Sequence, residues 1–148
     1  MSRAMPELRD PLALDRMREH FSRAAFLADL GVQLVALGPG TAETELLVLP
    51  RHSQSEGFVH AGVAATMADH TCGTAGGTLI DAGHTVLTVE FKVNLLRPMR
   101  GERLRCRAEV LKSGRRISVV EAKVHADGVL VAASTVTLAV VADPRRAK

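Results

Sequence analysis

From residue 85 onward the chain alternates. Thr85–Leu96 (TVLTVEFKVNLL), Glu102–Leu111, Arg116–His125 and Val129–Val141 set apolar or β-branched side chains at every second position. That period matches the pleat of a half-buried strand, whose successive side chains point to opposite faces. In the second run Leu104, Cys106, Ala108 and Val110 fall on one face and the charges on the other. Turn residues separate the runs at Arg97-Pro98-Met99-Arg100-Gly101, at Lys112-Ser113-Gly114-Arg115 and at Asp127-Gly128, the last a strong hairpin pair. A meander of this kind must cover its apolar face. One buried-type helix precedes it, so the economical solution is an α+β fold: an antiparallel β-sheet wrapped around a long central α-helix.

The first half supplies the remaining elements. Met1–Pro11 reads as a flexible lead-in. From Leu12 to Leu30 the apolar residues Leu14, Met17, Phe21, Ala24, Ala25 and Ala28 recur at helical spacing, and Gly31 ends the helix. Val32–Leu37 and Thr41–Leu49 read as a hairpin about Gly38-Pro39-Gly40, stopped by Pro50. Arg51–Phe58 has turn composition. Asp143–Lys148 reads as a basic flexible tail. With no internal repeat and no linker, residues 12–142 make a single domain, and 148 residues suffice for a proper core.

The run Val59–Leu79 is the central helix, and its content is unusual. Gly62, Ala65, Ala68, Asp69, Cys72, Gly73 and Gly76 put small side chains around one sector, while Val63, Met67, His70 and Thr74 recur on another. Gly73, Gly76 and Gly77 each weaken a helix by roughly 1 kcal/mol relative to Ala, so close packing or function must account for them. Asp69 stands among these small residues. Burying an ionised carboxylate costs several kcal/mol unless something compensates, which marks a site rather than a scaffold.

Composition removes several alternatives. There are four Phe, no Trp and no Tyr, so the stacking platforms of single-stranded nucleic-acid binders are missing. Net charge is +3, with the excess in Arg97–Arg107, Lys112–Arg116 and the tail, a pattern that suits either a solvated surface or a cationic rim for an anionic ligand. Cys72 and Cys106 show no ligand-like spacing, and His52, His60, His70 and His84 show no H-x-x-x-H, so no metal is expected. No apolar run approaches the ~18 residues of a membrane span, and the expectation is a reduced, cytoplasmic protein with no membrane and no nucleic-acid partner.

The stretch Gln54-Ser55-Glu56-Gly57-Phe58-Val59-His60-Ala61-Gly62, with Asp69 nine positions after the His, together with TVEFKVNLLRPMRGERLRCRAEVLKSGRR downstream, resembles the hotdog-fold acyl-CoA thioesterases. The PaaI-like subgroup, typified by phenylacetyl-CoA and hydroxybenzoyl-CoA thioesterases, is the nearest in pattern. Its motif runs Asn-x-x-Gly-x-x-His-Gly-Gly, then an acidic residue nine positions after the His. The resemblance covers roughly residues 30–141. Two positions depart: Ala61 stands where many members have Gly, and Gln54 where many have Asn, although the aryl-CoA branch also uses Gln.

The resemblance implies hydrolysis of an acyl-CoA, with an aryl or medium-length acyl group, to a carboxylic acid and free CoA. Asp69 would act as general base on water or as nucleophile through an anhydride. The N–H groups of Ala61 and Gly62, at a helix start where amides lack intrahelical partners, would receive the oxyanion. Gln54 would add a side-chain donor, and Thr88 would sit near the attacking water. His60 is read as a structural hydrogen bond at the helix start beside the substrate, and Cys72 as lining the pocket. Arg97, Arg115 and Arg116, with Arg100, would meet the CoA phosphates. CoA is part of the substrate, and no separate cofactor is implied. The family's sites lie between subunits of an edge-to-edge homodimer, and dimers pair into tetramers. Two rivals stand beside this reading: a non-catalytic acyl-CoA-binding module on the same fold, and a hydratase, for which the helix lacks an Asp followed five residues later by His.

Overall fold

The computed structural model describes residues 6–146. In chain order it holds α1 (Ala13–Ser22), α2 (Ala25–Leu30), β1 (Val32–Gly38), β2 (Thr41–Leu47), a 3-10 turn at Pro50–His52, α3 (Ala61–Gly77), β3 (His84–Leu95), β4 (Arg103–Ser113), β5 (Ile117–Ala126), β6 (Val129–Ala142) and a 3-10 turn at Pro144–Arg146. The six strands form one antiparallel sheet in the order β1-β2-β4-β5-β6-β3. The sheet wraps around α3, which packs against every strand. This is the sheet around a central helix expected of the alternation, and the hotdog fold that the resemblance implies.

The alternation decides which face meets the helix. Leu104, Cys106 and Ala108 on β4, Val120, Ala122 and Val124 on β5, and Val136 and Leu138 on β6 are buried against Met67, Ala68, Cys72 and Ala75 of α3. The opposite face is charged: Arg105 donates to Glu45 at 2.9 Å, Arg103 also pairs with Glu45, and Arg107 lies 3.4 Å from Glu43. The Asp127-Gly128 turn has φ of 44° and 84°, both positive, as the two-residue hairpin requires. At the other end, Gly40 N–H donates to Thr78 Oγ1 at 2.8 Å and locks the β1–β2 turn onto the end of α3.

Two expectations are corrected. The amphipathic run at residues 12–30 is two helices rather than one. The backbone leaves the helix at Ala24 (φ −77°, ψ 87°), and Arg23 and Ala24 close their N–H groups on His20 and Phe21. A straight helix would have turned Ala25 and Ala28 inward. The break instead buries Leu27 and leaves both alanines exposed, removing more apolar area from water. The lead-in is docked from Leu8 onward. Leu8 packs against the core, and the buried Asp10 accepts from Leu12 N–H at 2.9 Å and pairs with Arg16 at 3.2 Å. Residues 1–5 of the lead-in and 147–148 of the tail lie outside the described residues.

Candidate active site

The start of α3 is built by histidines. His60 is the N-cap residue in extended backbone conformation (φ −60°, ψ 136°), and its Nδ1 accepts from Gly62 N–H at 2.8 Å. That bond occupies the Gly62 amide. Ala61 N–H, one residue earlier, has no hydrogen-bond partner among the described residues, so it is the open donor at the positive end of the helix. Behind the cap, His60 N–H donates to His52 O at 2.8 Å. The His52 ring is buried: Leu49 N–H donates to its Nδ1 at 2.9 Å, and its Nε2–H meets Leu30 O at 2.8 Å. His52 therefore ties the end of α2, the segment after β2 and the α3 entry together. Spacing gave no sign of this, because its partners are backbone groups from three elements.

Beside Ala61 opens a cavity of about 470 Å³, bounded by Gln54, Phe58, His60 and the turn from Leu95 to Met99. Gln54 spends its side-chain carbonyl on Glu56 N–H, which leaves the NH₂ as its donor. Val59 N–H donates to Met99 O at 2.9 Å and holds the two walls together. Arg97 lines this cavity and donates to Leu130 O at 2.8 Å, while the Arg100 guanidinium lies 4.2 Å over the Phe58 ring. Arg115 and Arg116 are exposed at the β4–β5 turn and line neither this cavity nor the next.

Asp69 stands two turns further along α3, half-buried, and Thr88 Oγ1 donates to its Oδ1 at 2.7 Å. A bulge in β3 sets this geometry. Thr88 is opposite Leu138 and Glu90 opposite Thr137, with Val89 between them unpaired. Val86 and Thr88 thus face the helix before the bulge, and Phe91, Val93 and Leu95 face it afterwards. Glu90 turns to the other face, where it accepts from Thr137 Oγ1 at 2.9 Å. An uninterrupted alternation could not aim both Thr88 and Phe91 inward. The sequence carries no sign of this, because Leu87, Val89, Phe91, Val93 and Leu95 alternate unbroken.

The Asp69–Thr88 pair borders a second, smaller cavity of about 110 Å³, shared with Gly73 and His70 of α3 and with Met17 and His20 of α1. His70 meets the Phe21 ring edge-on, with centroids 5.1 Å apart. Burial, then the neighbouring His20, lowers the His70 pKa against the opposing pull of Asp69. His20 is also lowered, by burial and then by Arg145. Both imidazoles are biased towards the neutral form. Met17 and His20 come from another element, and nothing in the motif spacing pointed to them.

Thr88 and Asp69 are thus brought together, and so are Ala61, Gln54, His60 and Arg97, but the two groups occupy separate cavities. Cys72, expected to line the pocket, is fully buried in the core and borders neither cavity, because its side chain points into the sheet. Burial pushes its thiol up, and that of Cys106 up to about 12. Among the described residues no group of three or more His, Cys, Asp or Glu could hold a metal ion, and no helix is long and apolar enough to cross a membrane. The edge strand β3 leaves Leu87 57%, Val89 59%, Phe91 46% and Leu95 54% exposed, an apolar margin that runs past both cavities.

Comparison with known proteins agrees with this fold. Residues 56–133 match the family described as Thioesterase superfamily. The crystal structure of a thioesterase family protein from Silicibacter pomeroyi superposes with a TM-score of 0.84 at 39% identity, covering 87% of this chain and 98% of that one. A thioesterase from Haemophilus influenzae superposes at 0.80 with 27% identity over 91% of this chain and 94% of its own. A 1,4-dihydroxy-2-naphthoyl-CoA hydrolase from Listeria monocytogenes is 26% identical over 95 residues, 64% of this chain and 77% of that protein.

Proposed function

The chain belongs to the thioesterase superfamily and is a hydrolase of that family, and we propose that it cleaves an acyl-CoA to a carboxylic acid and free CoA. The observation that carries this reading is the Asp69 carboxylate, held by the Thr88 hydroxyl at 2.7 Å on the border of a small cavity. With Oδ1 accepting from Thr88, Oδ2 is left to take a proton from water or to attack the carbonyl. The acyl group is aryl or of medium length. The naphthoyl-CoA substrate named for the Listeria relative is of the aryl kind.

Ala61 N–H receives the developing oxyanion. It cannot do so for the Asp69 of its own chain. The two residues are eight positions apart on one helix, about 12 Å along its axis, whereas reacting groups must approach within about 3–3.5 Å. A two-fold partner resolves this. With β3 edges paired, antiparallel copies of α3 bring Ala61 and Gln54 of one protomer towards Asp69 and Thr88 of the other. The exposed apolar margin of β3 supports a homodimer of this kind. Arg97, at the Gln54 cavity, is the arginine best placed for the CoA phosphates, with Arg115 and Arg116 as more distant contributors. No cofactor beyond the CoA of the substrate takes part.

Thiol release from a panel of short, medium-chain and aryl acyl-CoAs, by wild type and Asp69→Asn, tests the assignment. Wild type is expected to turn over part of the panel and the variant to lose at least about 100-fold, the range for a general base, with its melting temperature retained. Binding without release by wild type would favour the acyl-CoA-binding module instead.

A further inference from the structure

α3 holds four glycines; Gly62 lies at its capped start, and of the three further along only two are explained by packing. A Cβ on Gly76 would lie 2.4 Å from Leu138 Cδ1, and one on Gly77 would lie 2.5 Å from Met17 Sδ. Both positions are closed by neighbours. A Cβ on Gly73 would meet nothing within 4 Å. Gly73 therefore carries the helix cost of glycine, roughly 1 kcal/mol relative to Ala, with no compensating contact among the described residues.

Its location gives the reason. Gly73 is four residues after Asp69, on the same face of α3, and it borders the same 110 Å³ cavity as Asp69 and Thr88. Met17 and His20 close that cavity from α1, and His70 and Thr74 flank it on α3. Gly73 brings no side chain to this lining, one helical turn beyond the Asp69 carboxylate. The cavity is small, about 110 Å³, so a side chain that enters it from this position takes up a substantial part of it.

We propose that Gly73 is a specificity-determining residue: its missing side chain forms the floor of the acyl pocket, and the far end of the acyl group lies over it. This rests on the thioesterase reading for its substrate. Acyl groups long enough to reach the floor touch Gly73, and an acetyl group does not. One added carbon in such a pocket discriminates by about 10–200-fold.

The test uses Gly73→Ala and Gly73→Val with two readouts. The first is kcat/KM for thiol release from acetyl-CoA, hexanoyl-CoA, benzoyl-CoA and phenylacetyl-CoA. The second is Kd for the matching non-hydrolysable S-alkyl and S-aralkyl CoA thioethers. The expected result is a fall of about tenfold or more in the ratio of bulky to acetyl substrate, deeper for Val than for Ala, in both readouts. The melting temperature of Gly73→Ala should not fall. An unmoved ratio in a wild-type enzyme that hydrolyses the panel overturns the floor while leaving the thioesterase reading intact. Binding without hydrolysis by wild type overturns the thioesterase reading, and the thioether ratio then decides the floor by itself. A change of molecular mass by light scattering in Gly73→Ala, with the ratio preserved, assigns Gly73 to a subunit contact and overturns the proposal. Neither binding nor hydrolysis by wild type overturns both.

Discussion

At the scale of single residues, the site depends on who occupies each hydrogen-bonding group. His60 takes the Gly62 amide, and Thr88 takes one oxygen of Asp69, which leaves Ala61 N–H and Asp69 Oδ2 for the roles the proposed function gives them. Asp69 and Ala61 were legible because their spacing from His60 follows the helix. His20 and Met17 were not, because their place is set by how α1 packs. The same packing yields a pH prediction. Burial lowers the pKa of His70 below its ordinary 6.5, with His20 adding to the shift. The unfolded chain then binds more protons than the native one in the window from about 6.5 down to the lowered value. Stability from this group is fully present above pH 6.5 and is lost as pH falls through that window. Melting temperatures of wild type between pH 8 and 5 should decline below 6.5, and His70→Gln should decline less. A variant that tracks wild type throughout would exclude His70 as the source.

At the scale of elements, α3 is governed by what lies over each position rather than by helix propensity. Gly76 is covered by Leu138, which is fully buried among β5 and β6 side chains and has nowhere to move. Gly76→Ala should therefore cost about 1–3 kcal/mol as overpacking, more than the roughly 1 kcal/mol gained in helix propensity. Gly73→Ala should show the gain alone. Thermal unfolding of the two should move in opposite directions, and a rise for both would mean that the sheet yields at Leu138. The strands were legible almost throughout, because each has one face against α3 and one towards solvent, and period two follows from that. The break between α1 and α2 was not, since no Gly or Pro marks it and burial of Leu27 decides it. The bulge at Val89 was not legible either, because Leu87, Val89, Phe91, Val93 and Leu95 alternate unbroken in the sequence and the shift shows only in the pairing with β6.

At the scale of the whole molecule, the proposed function makes the two cavities of one chain two incomplete half-sites. A donor and an amide lie at the start of α3, and a carboxylate and a hydroxyl lie two turns along it, beside an unpaired apolar edge. In the proposed homodimer, antiparallel pairing about a two-fold axis would join the halves, and would do so twice. Two substitutions isolate them. Asp69→Asn removes the carboxylate. Ala61→Pro removes only the N–H, since proline suits the first position of a helix and His60 already has the extended backbone that must precede it. Each pure variant should lose about 10²–10³ in kcat or more. The decisive measurement is thiol release after the two inactive proteins are unfolded together, refolded as an equimolar mixture and assayed. If the site spans two protomers, half of the sites in each mixed dimer carry neither lesion, and activity should return to about one quarter of wild type. No recovery, with mixed dimers shown to be present, would contradict a site shared between subunits.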